Sequence, residues 1–418
     1  TTENIEETSM AVIDSDCLSF SNPNKIATVY NNKGVDAEPS LFTGDFNTDG
    51  YDDVLLAFSN WGEYETFQFE IFLNNKNGAL IKSTSDLING AIPEIQALPA
   101  HPLINKDLNG DSINDIFLGI AGLDTEPFPG FQNLLLLSNS EGNLIDSTDD
   151  LPPMNDFPHS VTSADIDRDG DFDIYVGNMW AQNMINPQLL LNNGSGTFTT
   201  ANQLLPPQLT LQMNGYTASE FVDVNNDSYP DLILGDAGDD IENQYSIYNS
   251  IVLINDGTGR FSLQDENAIP EKGSPTWLAL DIVSGDLNSD NNQDLVISYS
   301  NNTFIGRFFQ VLINQGEGRF TDETAERLPN SSNPNRDYIY QIDLIDVDFD
   351  DDLDLICRNF SDMNPNPLLF LNDGSGHFEQ ETVDFYLDST FYTILDVDND
   401  GGTDLVYATW GATSQLFV

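Results

Sequence analysis

Asp165-Ile166-Asp167-Arg168-Asp169-Gly170-Asp171-Phe172-Asp173 is the stretch on which the fold of this chain turns. Carboxylates stand at positions 1, 3, 5 and 9, and a glycine at position 6. In a tight turn the side chains at positions 1, 3 and 5 can aim their oxygens at one centre. Such a set of hard anionic oxygens suits Ca²⁺, which takes six to eight oxygens at about 2.3–2.6 Å. Without a cation the same charges repel one another.

A helix–loop–helix calcium loop would carry a bidentate Glu at position 12. Val176 stands there instead, inside the apolar run Ile174-Tyr175-Val176-Gly177, which reads as a buried strand. The fourth carboxylate, Asp173, falls where that strand begins. The spacing therefore predicts a strand–loop–strand calcium site.

The stretch recurs. Its copies are Asp45, Asn47, Asp49, Asp53; Asp107, Asn109, Asp111, Asp115; Asp165, Asp167, Asp169, Asp173; and Asp223, Asn225, Asp227, Asp231. They continue as Asp286, Asn288, Asp290, Asp294; Asp346, Asp348, Asp350, Asp354; and Asp396, Asp398, Asp400, Asp404. The first aspartates of these seven copies lie 50 to 63 residues apart. One acidic loop is a weak signal, whereas seven at a near-constant period mark a repeat architecture.

Each repeat reads alike: a short strand into the loop (Val161 to Ala164), an apolar strand out of it, a variable loop, then a third strand (Gln188 to Leu191). A turn, Asn192-Asn193-Gly194-Ser195-Gly196, leads into a fourth strand at Thr197-Phe198. The turn returns at Asn255 to Phe261, Asn314 to Phe320 and Asn372 to Phe378. Asn-Gly and Asp-Gly supply the positive φ of a hairpin. Four-stranded antiparallel units repeated seven times imply an all-β, seven-bladed propeller. The last repeat runs out after Gln415-Leu416-Phe417-Val418, its third strand. A spare strand, Lys25 to Tyr30, precedes the first repeat and is expected to complete the last blade. Residues 1–20, with Glu3, Glu6 and Glu7, read as a loose acidic arm, and 21–418 as a single domain.

These loops and the Asn-x-Gly-x-Gly-x-Phe turns resemble FG-GAP/VCBS repeats, the units of the integrin α-subunit propeller and of many secreted bacterial proteins. The resemblance covers about residues 25 to 418 and implies about seven structural Ca²⁺ ions. It implies as ligands the side chains named above together with the position-7 backbone carbonyls of Tyr51, Ile113, Asp171, Tyr229, Asn292, Asp352 and Gly402. Position 6 departs from glycine at Ser112, Ser228, Asn291 and Asp351, which puts strain into those turns.

Composition narrows the partners. The formal charge is −56, from 69 acidic and 13 basic residues. Nucleic acid is excluded as an expected partner, because phosphate binding needs clustered Lys and Arg. Anionic membranes are disfavoured for the same reason, and no apolar run reaches the about 20 residues of a membrane span. Calcium at extracellular concentration fills weak sites. That points to a secreted, periplasmic or cell-surface protein, expected as a monomer. The first residue, Thr1, suggests a processed product. Cys357 reads as a buried thiol, with a Cys17–Cys357 bridge as the alternative.

The calcium loops and the Asn-Gly turns share one face, so the 2–3 and 4–1 loops share the other. Those loops carry Trp61, Trp180, Tyr245, Tyr248, Phe304, Phe360 and Trp410. Each has an ordinary use in packing between blades and a functional one as a flat platform for a sugar. His101 and His159 each precede their loop's first Asp by six residues. They cap an inner strand, share a metal or act as an acid/base pair, with Tyr216, Arg336 and Tyr338 nearby. Two functions follow. The favoured one is a module that binds glycan or a surface protein. The alternative is a polysaccharide lyase.

Overall fold

Asp53–Ser59 is buried at every position. A strand that is apolar on both faces must be covered on both. In this computed structural model it is the second strand of a four-stranded sheet wedged between two others. Leu55 and Ala57 join Ile116, Leu118 and Leu136 of the following sheet. Val54, Leu56 and Phe58 face Val406, Ala408 and Leu416 of the last sheet. The same alternation fills every seam, giving seven apolar clusters, each built from two neighbouring sheets. The sheets close into a seven-bladed β-propeller. The structure describes residues 25–34, 36–59, 65–96, 98, 102–178, 186–211, 215–238, 249–273, 276–301, 303–333, 338–360, 368–381, 391–409 and 413–418.

Every blade is an antiparallel sheet, in chain order in blades 1 to 6. The inner strands are Glu38–Gly44, Leu103–Lys106, Pro158–Ala164, Tyr216–Val222, Trp277–Gly285, Tyr338–Ile345 and Phe391–Leu395. The inner strands of blades 2 to 6, and those of blades 7 and 1, pack on their neighbours around the axis. The apolar residue after each turn pins the outer strand as expected, with Leu80, Leu144, Phe198, Phe261, Phe320 and Phe378 all buried.

The ring closes through the spare strand. Lys25–Tyr30 pairs antiparallel with Thr413–Phe417 and becomes the outer strand of blade 7. Val29 buries its side chain in the cluster that blades 7 and 1 share. Cys357 is a buried free thiol, and Cys17 lies outside the described residues.

Two features have no periodic signature in the sequence. Short helical turns at Thr84–Leu87, Thr148–Asp150, Asn202–Leu204 and Thr324–Arg327 each follow an outer strand. They are locked to their own blade: the N–H groups of Ser83, Ser147, Ala201 and Glu323 donate to third-strand carbonyls. Segments this short are held by tertiary contacts rather than by propensity. Second, four inner strands skip register at His159, Thr217, Leu280 and Tyr340, one equivalent position in four consecutive blades. Such bulges turn a side chain away from the regular pleat.

Candidate metal centres and the opposite face

The acidic loops are folded by their own carboxylates. The position-1 carboxylate accepts backbone N–H groups from positions 5 and 6, as in Asp49 and Gly50 to Asp45 and Asp227 and Ser228 to Asp223. The backbone turns through the left-handed region at position 6, where Ser112, Ser228, Asn291 and Asp351 have φ of 72°, 66°, 67° and 71°. It does so again at position 4, where Thr48, Arg168, Asn226, Ser289, Phe349 and Asn399 have φ of 54° to 64°. The glycine signal at position 6 revealed only the first of these two turns.

Position 9 has a second duty. Each of these aspartates opens the second strand of its blade and is buried or nearly so. One oxygen of Asp173 accepts the N–H of Ile166 at position 2, and the other accepts the N–H of Asn192 at the end of the third strand. The same pair of bonds forms at Asp53, Asp115, Asp231, Asp294 and Asp354. Burial lifts these carboxyls to about 6 at Asp115, Asp294, Asp354 and Asp404, and to about 7 at Asp53, Asp173 and Asp231. A carboxylate has about four lone-pair positions, so two N–H bonds leave capacity for a cation.

The donor set fits a hard cation. Oxygens of Asp165, Asp167 and Asp169 lie within 4.8 Å of one another, as do those of Asp346, Asp348 and Asp354, and of Asp396, Asp398 and Asp404. Two oxygens bound to one ion at about 2.4 Å can be at most about 4.8 Å apart. Oδ1 of Asp165 and Oδ1 of Asp348 are buried and accept no hydrogen bond. Burial raises Asp167 and Asp348, and the neighbouring loop aspartates push them the same way. These groups lack a positive counter-charge, and a bound cation would supply it.

The Asn-Gly turns do more than reverse the chain. The Asn192 side-chain amide donates to the carbonyl of Leu108, in the acidic loop of the preceding blade, at 2.7 Å. Asn255 clasps Ile166, Asn314 clasps Val224 and Asn372 clasps Leu287 in the same way. Across the ring closure Asn74 reaches the Asp396 carbonyl at 3.4 Å. The turn's first glycine must lie close to the loop of its own blade: a Cβ on Gly194 (φ +75°) would sit 2.4 Å from Asp171 Oδ2. The loops of blades 2, 3, 4, 5 and 7 are thus each clasped by the asparagine of the next blade. Replacing Asn314 by Ala removes one of the two donors to the Val224 carbonyl, which keeps only the Gly318 N–H, and chemical denaturation should show a loss of about 1 kcal/mol. No loss would mean that the clasp contributes nothing to the seam.

On the other face, Trp61, Trp180, Tyr245, Tyr248, Trp410, His101 and Arg336 lie outside the described residues, as does the side chain of Phe360. His159, at the first of the four bulges, lines a cavity of about 150 Å³ beside the axis with Ser160, Ser219, Glu220 and Asp281. Burial pushes its imidazole down to about 4. Tyr216 is buried in the cluster between blades 3 and 4, and burial lifts its phenol far above the usual range. Tyr338 packs edge-on against Phe304 with ring centroids 5.7 Å apart. Sequence reading singled out neither the Ser160–Ser219 hydroxyl contact nor Glu220, since isolated serines and acids on a strand carry no pattern.

The family model for FG-GAP-like repeats matches residues 107–176 and 286–357. No curated protein matches the chain. Among solved structures it is similar to BBS1N in complex with ARL6DN, at TM-score 0.46 and 9% identity over 95% of this chain and 96% of that one. It is similar to the Bacillus licheniformis rhamnogalacturonan lyase PL11, at TM-score 0.44 and 11% identity over 92% and 71% of the two chains. It is also similar to the V. cholerae biofilm matrix protein Bap1, at TM-score 0.37 and 10% identity over 94% and 90%. Repeats and fold agree: the chain carries FG-GAP-like repeats and forms a seven-bladed β-propeller.

Proposed function

We propose that this chain is an exported, calcium-stapled propeller that acts as a binding or adhesion module for a glycan or a surface protein. Calcium would sit in the seven acidic loops as a structural ion. Recognition would fall to the opposite face, whose connections differ from blade to blade. The observation that carries binding over catalysis is the state of the acid/base candidates the structure describes. A general base works best with a pKa near the operating pH, and burial holds His159 at about 4. Tyr216 is sealed in an interblade core. The charge of −56 also opposes an acidic polymer at low salt.

The test has two arms. A glycan array probed with and without calcium should show calcium-dependent binding that Trp180→Ala weakens. Incubation with uronic-acid polysaccharides should release no unsaturated products. Turnover that His101→Ala or His159→Ala abolishes would replace this reading with the lyase one.

A further inference from the structure

Blade 5 carries an exposed tip on the face opposite the acidic loops. Its third strand, Arg307–Asn314, runs unbroken for 8 residues, where blades 1 and 2 cover the same span in two pieces, Phe67–Gln68 with Glu70–Asn74 and Phe131–Gln132 with Leu134–Ser138. It forms a hairpin with Asp294–Asn301. Ser332–Asn333 pairs with Arg307 and Phe308, as Glu94–Ile95 and Asn155–Asp156 pair with the corresponding residues of blades 1 and 2. Beneath the tip, Phe308 packs between Trp277 and Tyr299, at centroid distances of 6.4 and 5.8 Å.

The tip holds its side chains outward. Phe304 has a φ of +54°, a costly conformation for an aromatic residue. The turn is locked by one side chain: Asn301 Oδ1 accepts the Thr303 N–H, the Thr303 hydroxyl and the Ile305 N–H at 2.9, 2.7 and 3.0 Å. Phe304 is 48% exposed and Ile305 52% exposed. The exposed Ile81, Ile145 and Leu263 stand singly on outer strands, which is ordinary. Phe304 and Ile305 are consecutive, rigid and braced across the seam by Tyr338 of blade 6. A strained backbone kept at an exposed apolar tip is a sign of function.

We propose that this tip is the anchor of a protein-docking surface, and that its partner offers an apolar pocket framed by Lys and Arg. The inference rests on the binding-module reading and names the partner class. A sugar platform needs polar atoms at the ring's edge, but here Asn301 Oδ1 and the Thr303 hydroxyl are bonded to each other, and Ile305 has no flat face. An excess of acidic over basic residues, 69 to 13, favours a basic protein surface and opposes an anionic lipid one. Rigid apolar anchors bind with little ordering cost.

The test uses the double variant Phe304→Asn/Ile305→Ser, because asparagine adopts positive φ readily. Its melting temperature should equal or exceed that of the parent. A random dodecapeptide display library is panned on the parent protein in calcium. Enriched peptides should combine Lys or Arg with aromatic or aliphatic residues, weaken in salt, and bind the variant at least tenfold less tightly. Peptides that bind both proteins equally, enrichment of acidic peptides, or glycan binding lost in the same variant would overturn the proposal. If the parent enriches no peptide but binds glycans that the variant also binds, only the anchor falls. If the parent binds neither peptide nor glycan, the binding-module reading falls with it.

Discussion

Stripping calcium from this protein should lower its melting temperature by about 20 °C. A ligand that binds only the folded state at about a hundred times its Kd stabilises by about 2.7 kcal/mol per site. Seven such loops together contribute about 19 kcal/mol on that principle. Unfolding entropy is about 2.1 cal/mol/K per residue, or about 0.9 kcal/mol/K for 418 residues. The ratio sets the shift. Its physical source is the geometry of the loops. Oxygens of three aspartates converge within 4.8 Å in blades 3, 6 and 7, and the buried Oδ1 atoms of Asp165 and Asp348 accept no hydrogen bond. Remove the ion and these charges face one another in a partly desolvated turn. Calorimetry in millimolar calcium, compared with a sample stripped by EGTA and shown to be metal-free, checks this. Equal melting temperatures would mean that the loops are held by their own backbone hydrogen bonds.

Those hydrogen bonds explain what could and could not be read from the sequence. Period and composition carry the blades, because a strand covered on both faces must be apolar along its length and a loop that gathers carboxylates at one centre must be acidic. The spare strand could be read for a related reason: a ring of identical units makes a missing piece visible. The interblade clasp could not. Asn192 and Asn314 serve the turn and the neighbouring blade at once, and the turn alone accounts for their presence in the sequence. Position 9 hides its staple in the same way, since an aspartate there already fits a calcium ligand. The opposite face has no repeat to compare against. An exposed Phe304 and a packed Phe308, four residues apart, look alike until the fold packs one against Trp277 and Tyr299 and leaves the other in the turn.

Deleting residues 1–32 should make the protein associate with rising concentration. Lys25–Tyr30 supplies the outer strand of blade 7 by pairing with Thr413–Phe417 from Lys25 opposite Phe417 to Tyr30 opposite Thr413. Without it the third strand becomes an open edge of unpaired N–H and C=O groups, which recruits other chains. The deletion also removes the buried Val29, along with Ile26 and Ala27, which pack on the cluster joining blades 7 and 1. Blade 7 is poorly placed to absorb that loss. Among the described residues its cluster with blade 6 is the smallest of the seven. Its third strand ends without the asparagine that clasps the preceding loop in blades 1, 3, 4, 5 and 6, and its own loop is held to blade 1 by the longest of the clasps, 3.4 Å. The closing strand therefore stabilises both seams of one blade. Light scattering should show concentration-dependent growth and melting should begin lower, while deletion of residues 1–10 should leave both unchanged. A synthetic peptide covering residues 25–32, added in excess, should reverse that association by strand addition. A truncated protein that stays monomeric and melts like the full chain would show that the ring holds without its closing strand.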